Sequence, residues 1–227
     1  MRPAQAMFGT MFFRLFQVAE GRFLHTRAQA RTEHRMTNDT VQNPDGEPFS
    51  SIPASSNLIL IGMPSAGKST VGVVLAKMLG MDFLDGDLLI QRQEGATLPQ
   101  LIDELGPEGF LMVENRVLSG VACENTVIAT GGSAVYSEEA MAHLRELGRI
   151  IYLRISYDEM ARRLGDIHQR GVVMRKGAGM SLRDMYEERL PLYDAWADLT
   201  MDADGLTLAQ VARELFALVK KDDVHDE

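Results

Sequence analysis

The stretch "LILIGMPSAGKSTVG", residues 58–72, decides how this chain is read. An apolar run gives way to small residues, then to a lone lysine followed by two hydroxyls. Gly62, Gly67, Lys68 and Ser69 satisfy the pattern G-x-x-x-x-G-K-[ST], placed after a β-rich run and at the head of a segment with helical spacing. Glycines let the backbone curl so that successive N–H groups point inward at phosphate oxygens, and the dipole of the following helix adds partial positive charge. In such a loop Lys68 reaches the β and γ phosphates of a nucleotide and Ser69 ligates Mg²⁺. Ser65, Ala66 and Thr70 are counted with the nucleotide-binding positions.

Outward from this loop the pattern alternates. β-rich runs occur at "NLILI", "MDFLD", "NTVIAT", "RIIYLRI" and, more weakly, "ADLTMD"; between them lie helical stretches such as "KSTVGVVLAKML", "EEAMAHLRELG" and "TLAQVARELFALVKK". Alternating strands and helices imply an α/β fold with a mainly parallel sheet covered on both faces. No internal repeat and no transmembrane run is visible. Motor and transporter ATPases hold their metal with a hydrophobic strand ending in Asp, whereas the third strand here ends in Thr130, Gly131 and Gly132. The guanine-reading Asn-Lys-x-Asp is also missing. Both absences point to a small-molecule kinase.

Bulk properties agree with one enzyme domain. The chain has 227 residues, 45% hydrophobic and 24% charged, with a formal net charge of −9. This excess of acid disfavours a long nucleic-acid backbone as partner. A single cysteine, Cys123, allows no internal disulfide and fits a reducing, cytoplasmic setting; it is expected to be a buried small hydrophobe. Residues 1–35 hold six arginines and two acids. Their opening resembles an organellar transit peptide but lacks serine through residue 31. The preferred expectation is a start assigned too early, with Met36 the true beginning. "TNDTVQNPDGEPFSSIPASSN" reads as a disordered lead-in, so residues 1–56 are taken as a disordered or mis-called extension, 57–221 as the folded domain and 222–227 as an acidic tail.

Beyond the loop, "FLDGDLLI", "GPEGF" before a helix carrying Glu114, "ATGGSAV", "RRLGDIHQRG" and "EERLPLY" follow in order. Together these motifs resemble the shikimate kinases, within the nucleoside-monophosphate-kinase-like group, from about Leu58 to Val219. The resemblance implies a three-layer kinase fold with a five-stranded parallel sheet, helices on both faces and a mobile lid at about 165–180. It further implies use of ATP and Mg²⁺, a small hydroxyl-bearing acceptor, no nucleic-acid or membrane partner, and a monomer.

The same resemblance assigns roles. Asp85 supports Mg²⁺ through water, and Asp87 orients or deprotonates the acceptor hydroxyl; the competing reading of Asp87 is an N-cap for the helix beginning "LLIQRQ". Arg163 stacks on adenine and Arg170 descends on the transferred phosphate, whereas Arg162, Arg175 and His168 read as surface residues. Arg189 grips the acceptor carboxylate, against the alternative of a surface ion pair with Glu187. Lys68, Asp87 and Arg170 are the expected catalytic set. Tyr193 and Trp196 read as core.

Three positions depart from the family pattern. Leu111 stands where an arginine completes the carboxylate clamp, a loss worth about 1.5 to 3 kcal/mol for a charge-assisted contact. Ser133 replaces the third glycine after Gly131 and Gly132, and Leu208 replaces an adenine-side proline. The expected activity is therefore transfer of the ATP γ-phosphate to shikimate, with a different polyol or hydroxy acid as the alternative acceptor. A nucleotide-binding module without turnover is the second alternative.

Overall fold

The computed structural model describes residues 57–165, 171–175 and 179–222. The expectations for residues 1–56, for Arg170 and His168, and for half of the lid and nearly all of the acidic tail fall outside them.

Five strands form one sheet: β1 (Asn57–Ile61), β2 (Asp82–Asp85), β3 (Thr126–Ala129), β4 (Gly148–Arg154) and β5 (Leu199–Asp202). Their order is β2-β3-β1-β4-β5, every pairing is parallel, and β1 is central. All five residues of β1 are buried, as a continuous apolar run on a doubly covered strand requires. Register is pinned from β1, with Leu58 opposite Val127 on one side and Ile59 opposite Ile150 on the other. At its first residue the Asn57 amide donates to the Cys123 and Leu147 carbonyls at 2.9 and 3.0 Å and accepts from Thr126 N–H at 2.9 Å. One side chain thus ties together the starting ends of β1, β3 and β4. Cys123 is half-buried beside it, more open than expected from sequence.

Seven helices lie among the described residues: α1 (Lys68–Leu79), α2 (Gly86–Glu94), α3 (Leu98–Ser119), α4 (Glu138–Leu147), α5 (Tyr157–Leu164), α6 (Leu182–Trp196) and α7 (Leu208–Asp222). The main core joins β1, β3 and β4 to α1, α4, α6 and α7 through side chains such as Ile59, Leu75, Leu144, Tyr193 and Leu215. Each large aliphatic buried there contributes about 1.5 to 3 kcal/mol. A second, smaller cluster around Ile90, Leu98, Phe110 and Val173 sits under α2 and α3.

Helix starts separate α1 from the rest. Asp85, Thr97, Ser137, Ser156, Ser181 and Thr207 each cap the helix that follows by accepting from a backbone N–H. By contrast α1 begins at Gly67, whose φ is 98°, with no side-chain cap. Its first-turn N–H groups therefore remain available to an anion. Midway along α3, Gly106 leaves helical geometry (φ 71°) and Pro107 restarts the helix, its missing N–H being no loss in a first turn.

Candidate active site

The loops that follow β1, β2 and β3 meet at the C-terminal edge of the sheet, where open parallel sheets place their ligands. They enclose a cavity of about 660 Å³. The phosphate loop, Asp87, the Thr130–Ser133 turn, Arg163 and Arg189 all line it.

The loop after β1 takes its shape from glycine. A Cβ on Gly62 (φ 146°) would lie 2.5 Å from the Leu153 carbonyl oxygen, and one on Gly67 would meet Leu208 Cδ2 at 2.7 Å. Either contact would displace the loop, so no larger residue fits this curl. Ser65, with φ 62°, continues the left-handed path. Lys68 is buried and donates from Nζ to the carbonyls of Gly62 at 2.7 Å and Met63 at 2.9 Å. Burial draws its amine down to about 8, with the nearby Asp87 opposing that shift. It stays cationic at neutral pH.

The two aspartates after β2 divide their work. Asp85 caps α2, its Oδ1 accepting from Leu88 N–H at 3.1 Å. Asp87 is thus not the cap. It sits in the first turn and lines the cavity, where burial raises its pKa and Lys68 counters that rise. Gly131 lets this carboxyl in: a Cβ there would lie 2.9 Å from Asp87 Oδ1 and 2.3 Å from Glu114 Oε1.

Arg189 is not a surface residue. It is 1% exposed on α6; Nη2 donates to the Val173 carbonyl at 2.7 Å and Nε to the Tyr136 hydroxyl at 3.2 Å. Its guanidinium also lies 5.0 Å from the Tyr136 ring centroid, and Nη1 would be 3.2 Å from a Cβ on Gly132. The rejected partner Glu187 faces Arg183 instead. Tyr193 is core as expected, stacked on Tyr152 and donating to the Gly132 carbonyl at 2.6 Å. Arg163 is held by Glu159, one turn earlier on α5, at 2.5 Å; the same carboxylate takes Arg162 at 2.7 Å. Arg163 shares the cavity with Leu206, Thr207 and Leu208. Arg175 does more than face solvent, lying over the Tyr136 ring and pairing with Glu188.

The sequence model of the family described as shikimate kinase matches residues 64–220. The shikimate kinase of Pseudomonas paraeruginosa is 37% identical over 166 residues, covering 73% of this chain and 96% of its own. Shikimate kinase from Acinetobacter baumannii, solved in complex with shikimate, superposes with a TM-score of 0.68 at 31% identity, over 74% of this chain and 94% of that one. The Aquifex aeolicus shikimate kinase superposes at 0.62 with 28% identity, over 74% and 98%. The chain belongs to the shikimate kinase family.

This shikimate kinase family member has the five-stranded parallel fold expected from its sequence, and it is a kinase. Two of its three departures, Leu111 and Ser133, belong to the acceptor side, and the third, Leu208, lines the cavity against Gly67. Leu111 does not line the wall; Phe110 and Leu98 do, and Leu111 packs half-buried against the small apolar cluster. Ser133 lines the wall beside Glu114, a carboxyl that burial raises to about 7. Sequence reasoning named Glu114 only as part of a motif. An acid one turn after Phe110, on the inward face of a helix, was the available signal. Tyr136 and the Val173 carbonyl, which hold Arg189, carried no signal at all.

No group of three or more acidic, histidine or cysteine side chains able to hold a metal occurs among the described residues. No described helix is long and apolar enough to cross a membrane.

Proposed function

We propose that this chain transfers the γ-phosphoryl group of ATP to a hydroxyl of shikimate, giving shikimate 3-phosphate on the route to chorismate and the aromatic amino acids. The observation that carries this reading is that a glycine-shaped phosphate loop with its lysine and the carboxyl of Asp87 share one cavity, in a chain of this family.

The chemistry follows from the placements. The curled backbone from Gly62 to Gly67, the first-turn N–H groups of α1, and Ser65, Ala66 and Thr70 hold the phosphates. Lys68 supplies positive charge where charge builds on the transferred group. Ser69 and, through water, Asp85 would hold Mg²⁺, which neutralises developing charge on the phosphate oxygens. Asp87 accepts the proton of the attacking hydroxyl as the new O–P bond forms and the bridging oxygen departs with its electron pair. Arg163 flanks the base, beside Leu206 and Leu208. Arg189, already oriented by Tyr136 and Val173, takes the acceptor carboxylate at the Gly131–Gly132 turn. Arg170 is assigned to the transferred phosphate on lid closure.

One observation favours a second acceptor class: Leu111 brings no cation to the apolar wall of Leu98 and Phe110, so a less anionic polyol or hydroxy acid fits that end. ADP release measured across shikimate, other hydroxy acids and neutral polyols decides between them. Strong turnover with shikimate alone is expected. Turnover only with another acceptor would overturn the first reading, and ATP binding without any product would leave a nucleotide-binding module.

A further inference from the structure

Arg189 is buried, yet none of the ion pairs formed among the described residues includes it. Its Nε donates to the Tyr136 hydroxyl at 3.2 Å and its Nη2 to the Val173 carbonyl at 2.7 Å. The Nη1 edge, beside the Gly132 turn, is left for the acceptor. A cation out of water is tolerated only when its donors are engaged, and position 111 brings no second cation to share a carboxylate. How well the acceptor is held therefore depends on where this one fork points.

Tyr136 helps set that direction, and Tyr136 is itself covered by a second arginine. The Arg175 guanidinium lies 4.8 Å from the Tyr136 ring centroid, and that of Arg189 lies 5.0 Å from the same centroid. Arg175 is anchored in turn on α6, where Nη1 donates to Glu188 Oε1 at 3.3 Å. Its side chain is 52% exposed, and neither it nor Glu188 is among the residues that line the cavity. Glu188, Arg175, Tyr136 and Arg189 thus form one run of contacts from solvent to the buried fork.

We propose that Arg175 is a positioning residue for the acceptor carboxylate: seated on Glu188, it holds the Tyr136 ring, and through the Tyr136 hydroxyl it fixes the Arg189 fork. One well-aimed arginine then stands in for the two of the family pattern. That the acceptor carries a carboxylate rests on the shikimate reading above.

The test varies the residue and the carboxylate together. Wild type, Arg175→Ala, Arg175→Lys and Tyr136→Phe are assayed with shikimate and with its carboxamide, which keeps the ring and its hydroxyls but carries no charge; thermal unfolding checks that each variant folds. With shikimate, Arg175→Ala should raise the acceptor KM about threefold to tenfold while kcat and the KM for ATP hold. Arg175→Lys should recover part of that loss, since an ammonium keeps the charge but not the flat stack. In a Tyr136→Phe background, losing Arg175 should add little, because the link to Arg189 is already cut. With the carboxamide, wild type and Arg175→Ala should share one raised KM. A penalty of equal size on shikimate and its carboxamide would make Arg175 a support of the fold and overturn the proposal. So would an unchanged KM, or a defect confined to kcat and the KM for ATP, which would assign Arg175 to the nucleotide side. Wild-type enzyme that turns over neither compound would remove the shikimate reading and this inference with it, an outcome distinct from the other three.

Discussion

The nucleotide end and the acceptor end of the cavity are built differently. At the first, the ligand surface is mostly backbone: Gly62 and Gly67 leave no room for a side chain, and α1 starts without a cap. At the second, the surface is a set of side chains from distant segments, Asp87, Ser133 and Arg189, converging over Gly131 and Gly132. Backbone geometry tolerates little change without losing the loop. Side-chain surfaces can exchange one residue at a time, and the departure at Ser133 falls there, with Leu111 packed behind it in the small apolar cluster. The comparison teaches where a kinase of this fold is free to vary: in what it phosphorylates more than in how it holds the phosphate donor.

The sharpest way to break this contrast is Lys68→Ala, at the border of the two ends. Loss of the ammonium should lower kcat/KM by ~10³-fold or more while the fold survives, and steady-state rates with a thermal melt will check both. Unchanged turnover would take Lys68 out of the mechanism. Asp87→Asn comes next, with kcat expected to fall by ~10²-fold or more and the KM for ATP to stay near wild type. A defect mainly in ATP affinity would assign Asp87 to the nucleotide end instead.

Smaller effects sharpen the acceptor end. Leu111→Arg should lower the KM for shikimate by up to about tenfold, if the longer side chain reaches past Phe110. A flat KM would mean that position 111 belongs to the apolar cluster alone. Glu114→Gln should act on stability. Because the carboxyl is raised from 4.5 to about 7 in the fold, the native state holds this proton more tightly than the unfolded chain does. Stability is then greatest on the acid side and falls as pH rises from about 4.5 to about 7, by on the order of 3 kcal/mol. The variant should lose that share of the slope in urea denaturation at pH 5 and 8, retaining what Asp87 contributes in the same direction. Equal slopes would show that Glu114 titrates as an ordinary surface acid.

What could be read in advance follows the same division. β1 and α1 lie where the apolar run and the helical spacing put them, because both signals are local. β5 is shorter than "ADLTMD" suggested, an edge strand with a half-buried pattern. Lys68 and Asp87 were legible from spacing. Which of Asp85 and Asp87 caps α2 was not, since that depends on how β2 delivers the chain into the helix. Arg189 was marked by the family resemblance and not by its neighbours, which allowed a surface ion pair, because its partners Tyr136 and Val173 stand 53 and 16 positions away in sequence. Leu111 looked like a wall residue because position in a motif does not reveal which way a helix turns after the break at Gly106 and Pro107.

The two carbonyls held by Lys68 have one more consequence. An ammonium has three protons; Gly62 and Met63 engage two, which leaves a single N–H whose direction is set by the other two. The side chain meets a nucleotide already aimed, with little rotational freedom left to surrender. A guanidinium at position 68 would bring the same charge on a flat fork that cannot span those carbonyls and still point a donor forward, so Lys68→Arg should be nearly as inactive as Lys68→Ala.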